Sequence, residues 1–322
     1  MIVIDRTTPL SSVQDLGRTG CLHYGVGTAG AMDPLALQLG NALLGNDLNA
    51  AAIEIPLFPF QVRFLADCRF AVTGHDGKVM LDDEPLPFWW CTQARKGQRL
   101  TLSASNKTTR AYLHLPGGVD VPQVLGSRST QLRGEFGGYQ GRGLQNGDRL
   151  NAAAPSQDGP VDFGIVPPLL AFGLNDAPER VIRVLPAAEN NAFTEASRRA
   201  FWRQAWQITP QSNRYGYRLA GERLVANAPM EMRSHGIIPG VIQVPHNGQP
   251  IIQMRDAQPS GGYPKFGTVI DADMWLLGQI PVGSKVRFAE VTYQQAREAE
   301  CQQQAYLHKV IEQIACYRRY AD

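Results

Sequence analysis

Short apolar runs separated by turn-rich pieces fill the first half of the chain. The separating pieces, such as TGHDG at 73–77 and KGQ at 96–98, are too short and too polar to be helices. Many short strands at this spacing are typical of an antiparallel sandwich or barrel. The pattern therefore predicts a mainly β fold. The predicted strands are 61–64, 70–73, 78–81, 100–103 and 111–115.

One helix is predicted within this β pattern. Asp33 can cap its amino end, and Pro34 suits the first helical position, where a missing backbone N–H costs nothing. Gly45 supplies a stop, because glycine readily adopts the backbone conformation that ends a helix. Between them, apolar residues recur with the spacing of one helix face. These residues are Leu35, Leu39, Ala42 and Leu43.

The second half of the chain repeats the order strand, helix, many strands, without a residue-level repeat. Residues 151–178 are rich in alanine, proline and glycine, which predicts a connection between two domains. A helix is predicted around 193–206 by its apolar periodicity. The predicted strands of this half are 181–185, 240–244, 251–254 and 285–290.

The predicted organisation is two β domains at 1–155 and 179–292, a linker at 156–178 and a C-terminal helix at 293–322. Thr292 and Gln295 can form a capping box at the start of that helix. Its apolar stripe consists of Leu307, Val310, Ile311, Ile314 and Ala315. Such a stripe packs on the helix's own domain or docks on a partner.

Composition excludes several classes of function. A chain of 322 residues with 43% hydrophobic and 19% charged residues is globular. A net charge of +2 favours neither nucleic acid nor an anionic membrane as a partner. The first residues, MIVIDRTTPL, do not resemble a secretion signal, and no apolar run is long enough for a membrane helix. We therefore expect a cytoplasmic protein.

Cysteine and histidine spacing gives no metal or disulfide signature. The five cysteines are scattered without a CxxC pair, and the six histidines lack an HExxH arrangement. We therefore predict no bound metal. His75 beside Asp76 is the one pair of this type that could lie near a ligand.

The segment QDLGR at 14–18 places an amide, a carboxylate and a guanidinium close together. Gly17 lets the backbone approach another group closely. Arg18 could hold a carboxylate or phosphate bidentately while Asp15 orients it. The alternative is an internal arginine–aspartate pair that braces a loop, and the residue types suit both roles equally.

A glycine-rich loop at 25–33, GVGTAGAMD, leads into the first helix. Backbone N–H groups at a helix start can bind an anion. The loop matches neither GxxxxGK[ST] nor GxGxxG, so it is weak evidence for a nucleotide site. Asp33 is better explained as a helix cap, and a cap would compete with an anion for the same N–H groups.

A third polar stretch contains Arg128 and Arg142 among small residues. Hydroxyl and backbone N–H donors around two arginines could bind an acidic substrate. The alternative is a set of hairpin turns with exposed arginines. Ser129 has no GxSxG elbow around it, which disfavours a serine hydrolase.

The second half of the chain carries the densest set of candidate binding residues. Amides such as Gln243 and Gln249 offer both a donor and an acceptor, which suits a ligand that is itself an amide. Lys265 could neutralise a carboxylate or phosphate charge or act as a base. The set consists of Asn213, Arg214, Gln243, His246, Gln249, Asp256, Gln258, Tyr263 and Lys265.

Long motifs in both halves resemble the family of allophanate hydrolase subunit 2, biotin-dependent carboxyltransferase and 5-oxoprolinase C-subunit proteins. The resemblance covers residues 3–292. It implies two cyclophilin-like β-barrel domains with a few helices and a C-terminal helix. The motifs are SVQDLGRTG, GAMDPLAL, LGNDLNAAAIE, LPGGVDVPQVLGSRST, GRGLQNGDRL, SNRYGYRLAG, PGVIQVPHNGQPI and GGYPK.

The resemblance also implies a function. The chain would be one subunit of a 5-oxoprolinase that opens 5-oxo-L-proline to L-glutamate with ATP hydrolysis. Its partners would be a subunit 1 (B-subunit-like) protein and a lactam-utilisation (A-subunit-like) protein, and its substrate a small amide. ATP would be bound within the complex, on this chain or on a partner. We expect the isolated chain to be inactive, because it carries no nucleotide-binding signature.

Nine residues within these motifs are the candidate site. Arg18 or Arg214 would hold the substrate carboxylate, and Gln243 or Gln249 would bond the lactam amide. Lys265 would stabilise negative charge during ring opening or phosphoryl transfer. The predicted catalytic residues are Asp15, Arg18 and Lys265, and the predicted substrate-binding residues are Arg128, Asn213, Arg214, Gln243, Gln249 and Tyr263.

Two departures and two alternative functions complete the prediction. Pro259 stands where the family carries a hydroxyl residue, and His75 where relatives carry a small one. The same fold in urea carboxylase transfers a carboxyl group from carboxybiotin to urea, and biotin would then arrive on a partner. A third possibility is a regulatory protein that antagonises an inhibitor of a histidine kinase.

Overall fold

The fold is mainly β, in a computed structural model that describes residues 1–155, 160–174, 179–230 and 232–320. Internal contacts group the chain into two compact units. Unit 1 comprises Met1–Arg18, Ala29–Asn175 and Ala305–Asp322, and unit 2 comprises Thr19–Thr28 and Asp176–Gln304. These units differ from the predicted domains at two places: residues 19–28 belong to unit 2, and the C-terminal helix is divided between the two units.

Unit 1 consists of two six-stranded antiparallel sheets and a helix. The strands are β1 Ile2–Arg6, β2 Ser12–Gln14, β3 Ala52–Ile55, β4 Phe60–Phe64, β5 Cys68–Thr73, β6 Val79–Leu81, β7 Glu84–Leu86, β8 Trp90–Ala94, β9 Arg99–Leu102, β10 Ala111–His114, β11 Arg149–Leu150 and β12 Phe163–Gly164. The first sheet has the order β11-β1-β4-β9-β6-β7 and the second β12-β8-β5-β10-β3-β2.

Alternating side chains from both sheets form the core of unit 1. On the first sheet, β1 and β4 contribute Ile2, Ile4 and Phe60, and each is at most 1% exposed. On the second sheet, Val13 and Phe70 enter the same hydrophobic cluster. Burying one such side chain contributes about 1.5–3 kcal/mol, so this shared core is the main source of stability for the unit.

The helix α1 Pro34–Leu44 packs on the second sheet, against β5, β8 and β10. Both predicted ends of α1 are confirmed. The Asp33 carboxylate accepts a hydrogen bond from Ala36 N, and Gly45 ends the helix at a φ of 71°. The sheet is covered on both faces here, by the core and by α1. Strands β3, β5 and β10 are consequently buried along their whole length.

Beneath α1, His114 on β10 is fully buried, and this burial lowers the pKa of its imidazole to about 3. The unfolded chain binds a proton at a pKa of about 6.5. Between these values protons favour the unfolded state, so stability falls as pH falls. We expect a loss of about 2 kcal/mol from this residue between pH 7 and pH 5.

Urea unfolding of the wild type and of His114→Gln at both pH values measures this loss. The variant should lose about 2 kcal/mol less than the wild type on acidification. His308→Gln, at an exposed position on the last helix, is the matched control and should behave as the wild type. An identical pH dependence in His114→Gln would show that this imidazole is not kept neutral by folding.

Unit 2 is built on a closed seven-stranded barrel. Its strands are β13 Arg180–Pro186, β14 Trp206–Ile208, β15 Gly216–Ala220, β17 Val241–Gln243, β18 Ile251–Gln253, β20 Lys265–Val269 and β21 Lys285–Glu290. Their order is β13-β20-β17-β18-β15-β14-β21, and the parallel pair of β13 and β21 closes the barrel. Two further strands, β16 His235–Gly236 and β19 Ser260–Gly261, form a separate two-stranded sheet.

Two helices cover the barrel. In α3 Glu195–Arg203, Phe201 is fully buried and stacks on Phe288 of β21 with ring centroids 4.8 Å apart. The helix α4 Asp271–Gln279 was not predicted from sequence, and Asp273 in its first turn pairs with Arg183 of β13 at 2.6 Å. The strands together with these few helices confirm the predicted fold class, which is mainly β.

The last helix, α5 Tyr293–Tyr320, begins at the predicted capping box, where Thr292 N donates to Gln295 Oε1 at 2.8 Å. Val310 and Ile314 of its apolar stripe are buried. Tyr306 packs on Phe172 at 4.8 Å, next to the short helix α2 Pro168–Ala171. The C-terminal part of α5 therefore packs within unit 1, and these stripe residues are covered by the chain itself.

The predicted linker 156–178 lies partly outside the described residues, at 156–159 and 175–178. Its described part contains β12 and α2. None of the helices in the described residues combines the length and the apolar character that crossing a membrane requires.

Candidate functional site

The Asp15 carboxylate is the centre of a buried hydrogen-bond cluster in unit 1. Its Oδ1 accepts from Gly17 N at 2.8 Å, Ser127 Oγ at 2.6 Å and Ser129 Oγ at 2.5 Å. Its Oδ2 accepts from Arg128 N at 2.6 Å. Gly17 has a φ of 96°, which this tight turn requires and which favours glycine. Asp15 thus ties the 14–18 segment to the 127–129 loop, and its part in catalysis stays a prediction.

The side chains of the predicted site arginines of unit 1 donate to backbone carbonyls of residues 121–129. Arg18 is 2% exposed, and its Nη2 donates to Ser129 O at 2.5 Å. Its guanidinium also lies over the Phe136 ring, 4.8 Å from the centroid. Arg128 donates from Nε to Val121 O at 3.2 Å. To hold a substrate carboxylate, Arg18 would have to exchange these internal contacts for the ligand.

The end of the glycine-rich loop uses its backbone N–H groups internally. Met32 N donates to Glu54 Oε2, and Asp33 N donates to Tyr112 Oη, both at 2.8 Å. Ala36 N is taken by the Asp33 carboxylate at 2.8 Å. These donors already have acceptors within unit 1. The residues at this helix start therefore do not fit a nucleotide phosphate.

Arg214 in unit 2 forms a buried bidentate pair. Its Nε and Nη2 each lie 2.9 Å from an oxygen of Asp256, which is 2% exposed. Next to it, the exposed Asn213 side chain accepts from Tyr215 N at 2.8 Å and caps the turn. Gln249 bonds both backbone groups of Gly221 at 3.0 Å. These three predicted binding residues have structural partners, and a role in binding remains a prediction for each.

Gln243 and Lys265 are brought together by the barrel. They are direct cross-strand partners on β17 and β20, at a point where the register shifts. Directly opposite side chains share one face of a sheet, with Cβ atoms about 4.5–5.5 Å apart. Such an irregularity bends a strand and re-aims its side chains, and these features are common next to active sites. The pairing places the two residues opposite each other across the two strands.

The Gln243 amide is fixed by hydrogen bonds at both ends. Its Oε1 accepts from Gln253 Nε2 at 3.0 Å, and its Nε2 donates to Tyr263 O at 3.4 Å. A Cβ atom at Gly261 would lie 2.6 Å from Nε2, so only glycine allows this approach. Because an amide nitrogen carries two N–H donors, Gln243 can serve a ligand while it keeps this bond.

Lys265 has a carboxylate partner that sequence reasoning missed. Glu189, in the 3-10 helix Ala188–Ala192, lies with Oε1 3.8 Å from Lys265 Nζ. The two side chains are 23% and 15% exposed. We call Gln243, Gln253, Lys265 and Glu189 the polar cluster. It contains a charged ammonium donor and an amide donor that is oriented by hydrogen bonds. Donors of these two types can bind and polarise a carbonyl or carboxylate oxygen.

Tyr263 borders this region but is 43% exposed. Its ring meets His246 edge-on, with centroids 6.0 Å apart. A cavity of about 330 Å³ opens near His246 and is lined by Val244, Pro264 and residues of the 223–230 segment. Val244 and Pro264 adjoin Gln243 and Lys265 in sequence. No residue of the polar cluster is among the described residues that line the cavity.

The two departures from the family pattern have structural partners. His75 is 1% exposed, stacks on Phe58 at 4.2 Å and contacts Ser103 O through Nε2 at 2.6 Å. Burial lowers the pKa of this imidazole. Pro259 accepts from Ile237 N at 3.0 Å through its carbonyl. Among the described residues, no group of three or more His, Cys, Asp or Glu side chains is placed to hold a metal ion.

The family is shown by direct comparison. Residues 24–290 match the family model described as carboxyltransferase domain, subdomain A and B. The chain belongs to that family, and the resemblance read from its motifs is confirmed.

Two relatives differ in how much of their length this chain matches. It is 43% identical over 310 residues to the 5-oxoprolinase C subunit of Escherichia coli (strain K12), which covers 96% of this chain and 97% of that protein. It is 30% identical over 307 residues to urea amidolyase of Saccharomyces cerevisiae, which covers 89% of this chain and 16% of that protein.

Solved structures show the same fold within larger chains. The urea carboxylase of Kluyveromyces lactis superposes with a TM-score of 0.86 at 27% identity, over 96% of this chain and 29% of that chain. The K. lactis urea amidolyase gives a TM-score of 0.85 at 26% identity, over 96% of this chain and 20% of that chain. The chain thus spans less than a third of these two structures.

Proposed function

We propose that this chain is part of a multi-subunit 5-oxoprolinase, which opens 5-oxo-L-proline to L-glutamate with ATP hydrolysis. The observation that carries the proposal is the end-to-end match to the C subunit of E. coli 5-oxoprolinase, at 43% identity and 97% of that protein. The match to urea amidolyase, by contrast, covers 16% of that protein.

The polar cluster suits the chemistry of a lactam. Ring opening places negative charge on the carbonyl oxygen in the transition state, and prearranged donors stabilise that charge. Gln243 and Lys265 are cross-strand partners on β17 and β20, and each side chain carries N–H donors. We assign substrate contact to these two residues, with Tyr263 at the border of the site.

ATP and the remaining subunits enter through the complex. We place the nucleotide site on a partner, because this sequence carries no nucleotide-binding signature and the N–H groups of Met32, Asp33 and Ala36 already have acceptors. We propose a subunit 1 protein and a lactam-utilisation protein as the partners, assembled in the cytoplasm. The isolated chain is expected to show little or no ATP hydrolysis.

Co-expression with these two partners tests the proposal. The complete complex should release glutamate from 5-oxoproline and ATP, and the preparation that lacks this chain should not. Purification through a tag on this chain should also recover both partners. Glutamate release that is unchanged without this chain would overturn the proposal.

The second candidate is a carboxyltransferase that acts on urea or a similar amide. It is favoured by the superposition on urea carboxylase over 96% of this chain. Biotin would then be carried on a partner. Supplying carboxybiotin with urea or related amides to the chain and its partners distinguishes the two functions. A carboxylated amide is the product expected of a carboxyltransferase, and no transfer to urea or to any related amide would exclude this candidate.

A further inference from the structure

Glu189 is held rigidly beside Lys265 by the short 3-10 helix Ala188–Ala192. That helix is docked on β20 by two hydrogen bonds to one carbonyl. Ala187 N and Asn190 Nδ2 both donate to Phe266 O at 3.1 Å. Phe266 follows Lys265 directly in β20, so the helix is fastened one residue from the lysine. The backbone of Glu189 is therefore held close to the lysine.

The two carboxylate oxygens of Glu189 contact different parts of the same lysine. Oε2 accepts from Lys265 N at 3.3 Å, where the register between β17 and β20 shifts. Oε1 lies 3.8 Å from Lys265 Nζ. A charge-assisted hydrogen bond is about 2.7–2.9 Å long. The ammonium is therefore attracted by the charge of Glu189 without being tied up by a short bond to it.

Partial burial strengthens this attraction. The side chains of Lys265 and Glu189 are 15% and 23% exposed, and solvent screens a pair at such a site less than it screens a surface pair. Gln243 stands opposite Lys265 and supplies the second donor. The negative charge of Glu189 on one side of the ammonium attracts it towards that side.

We infer that Glu189 is a positioning residue that orients the Lys265 ammonium for lactam opening. This inference rests on the proposed function. Glu189 acts through Lys265 and does not touch the substrate. Its loss should lower kcat, because the ammonium would be misdirected in the transition state, and should leave KM within about twofold.

The test uses the complete complex and three variants of this chain. Glu189→Gln keeps an acceptor for Lys265 N but removes the charge, and should lower kcat about tenfold. Glu189→Asp keeps the charge on a shorter side chain and should retain more of kcat than Glu189→Gln. In a Lys265→Met chain, the additional Glu189→Gln change should have no further effect on kcat, because the group it positions is gone.

Glu195→Gln is the matched control, since Glu195 also pairs with a cation, Arg199, but on an exposed face of α3. Its kcat should equal that of the wild type. If Glu189→Gln lowered kcat by the same factor in the wild-type chain and in the Lys265→Met chain, its role would be purely structural and the inference would be overturned. Wild-type kcat in Glu189→Gln would overturn it as well. An inactive wild-type complex would instead overturn the proposed function.

Discussion

Replacing Asp15 by alanine is expected to destabilise the chain by about 3–5 kcal/mol. Its carboxylate is 1% exposed and accepts four hydrogen bonds, from Gly17 N, Arg128 N and the hydroxyls of Ser127 and Ser129. Removing it leaves these donors buried without their acceptor, and each costs about 1–3 kcal/mol before the loop relaxes. Urea unfolding measures the loss.

Two further variants serve as controls for Asp15→Ala. Asp83→Ala, at an exposed position, should change stability by no more than about 0.5 kcal/mol. Asp15→Asn keeps one oxygen acceptor and should be less destabilised than Asp15→Ala. If Asp15→Asn unfolded as the wild type but its complex released no glutamate, the carboxylate would belong to catalysis and not to the loop.

Replacing Lys265 by methionine is expected to lower kcat of the complete complex by about 10²–10³-fold. Methionine has a similar length but no charge, so the donor to the developing oxyanion is lost while the fold is retained. Lys285→Met is the control, because Lys285 is exposed on β21 of the same barrel. A Lys265→Met complex with wild-type kcat and normal unfolding would remove Lys265 from the site.

Local signals predicted much of the fold. The caps Asp33 and Gly45 gave the bounds of α1, and the alternating runs placed β4, β5 and β10 within one or two residues. The helix α4 escaped prediction for a physical reason. It has no side-chain cap at Ile270 and is buried on nearly all sides, so no amphipathic period marks it.

The candidate site was less accessible to sequence reasoning, because its geometry depends on distant partners. Asp15 bonds residues 112 to 114 positions away, and no local pattern shows that its acceptors are filled. Glu189 lies 76 positions from Lys265, in a segment without a motif. Residue type identified Gln243 and Lys265 as candidates, while only the closed barrel shows that they are cross-strand partners.

One reaction tests the proposed function most directly. The complete complex is given ATP, carboxybiotin, 5-oxoproline and urea together, and the products are separated by mass spectrometry. Glutamate should form at a rate that falls to background when this chain is omitted, and carboxylated urea should not form. Carboxylated urea as the main product, or glutamate formed equally well without this chain, would contradict a role in 5-oxoprolinase.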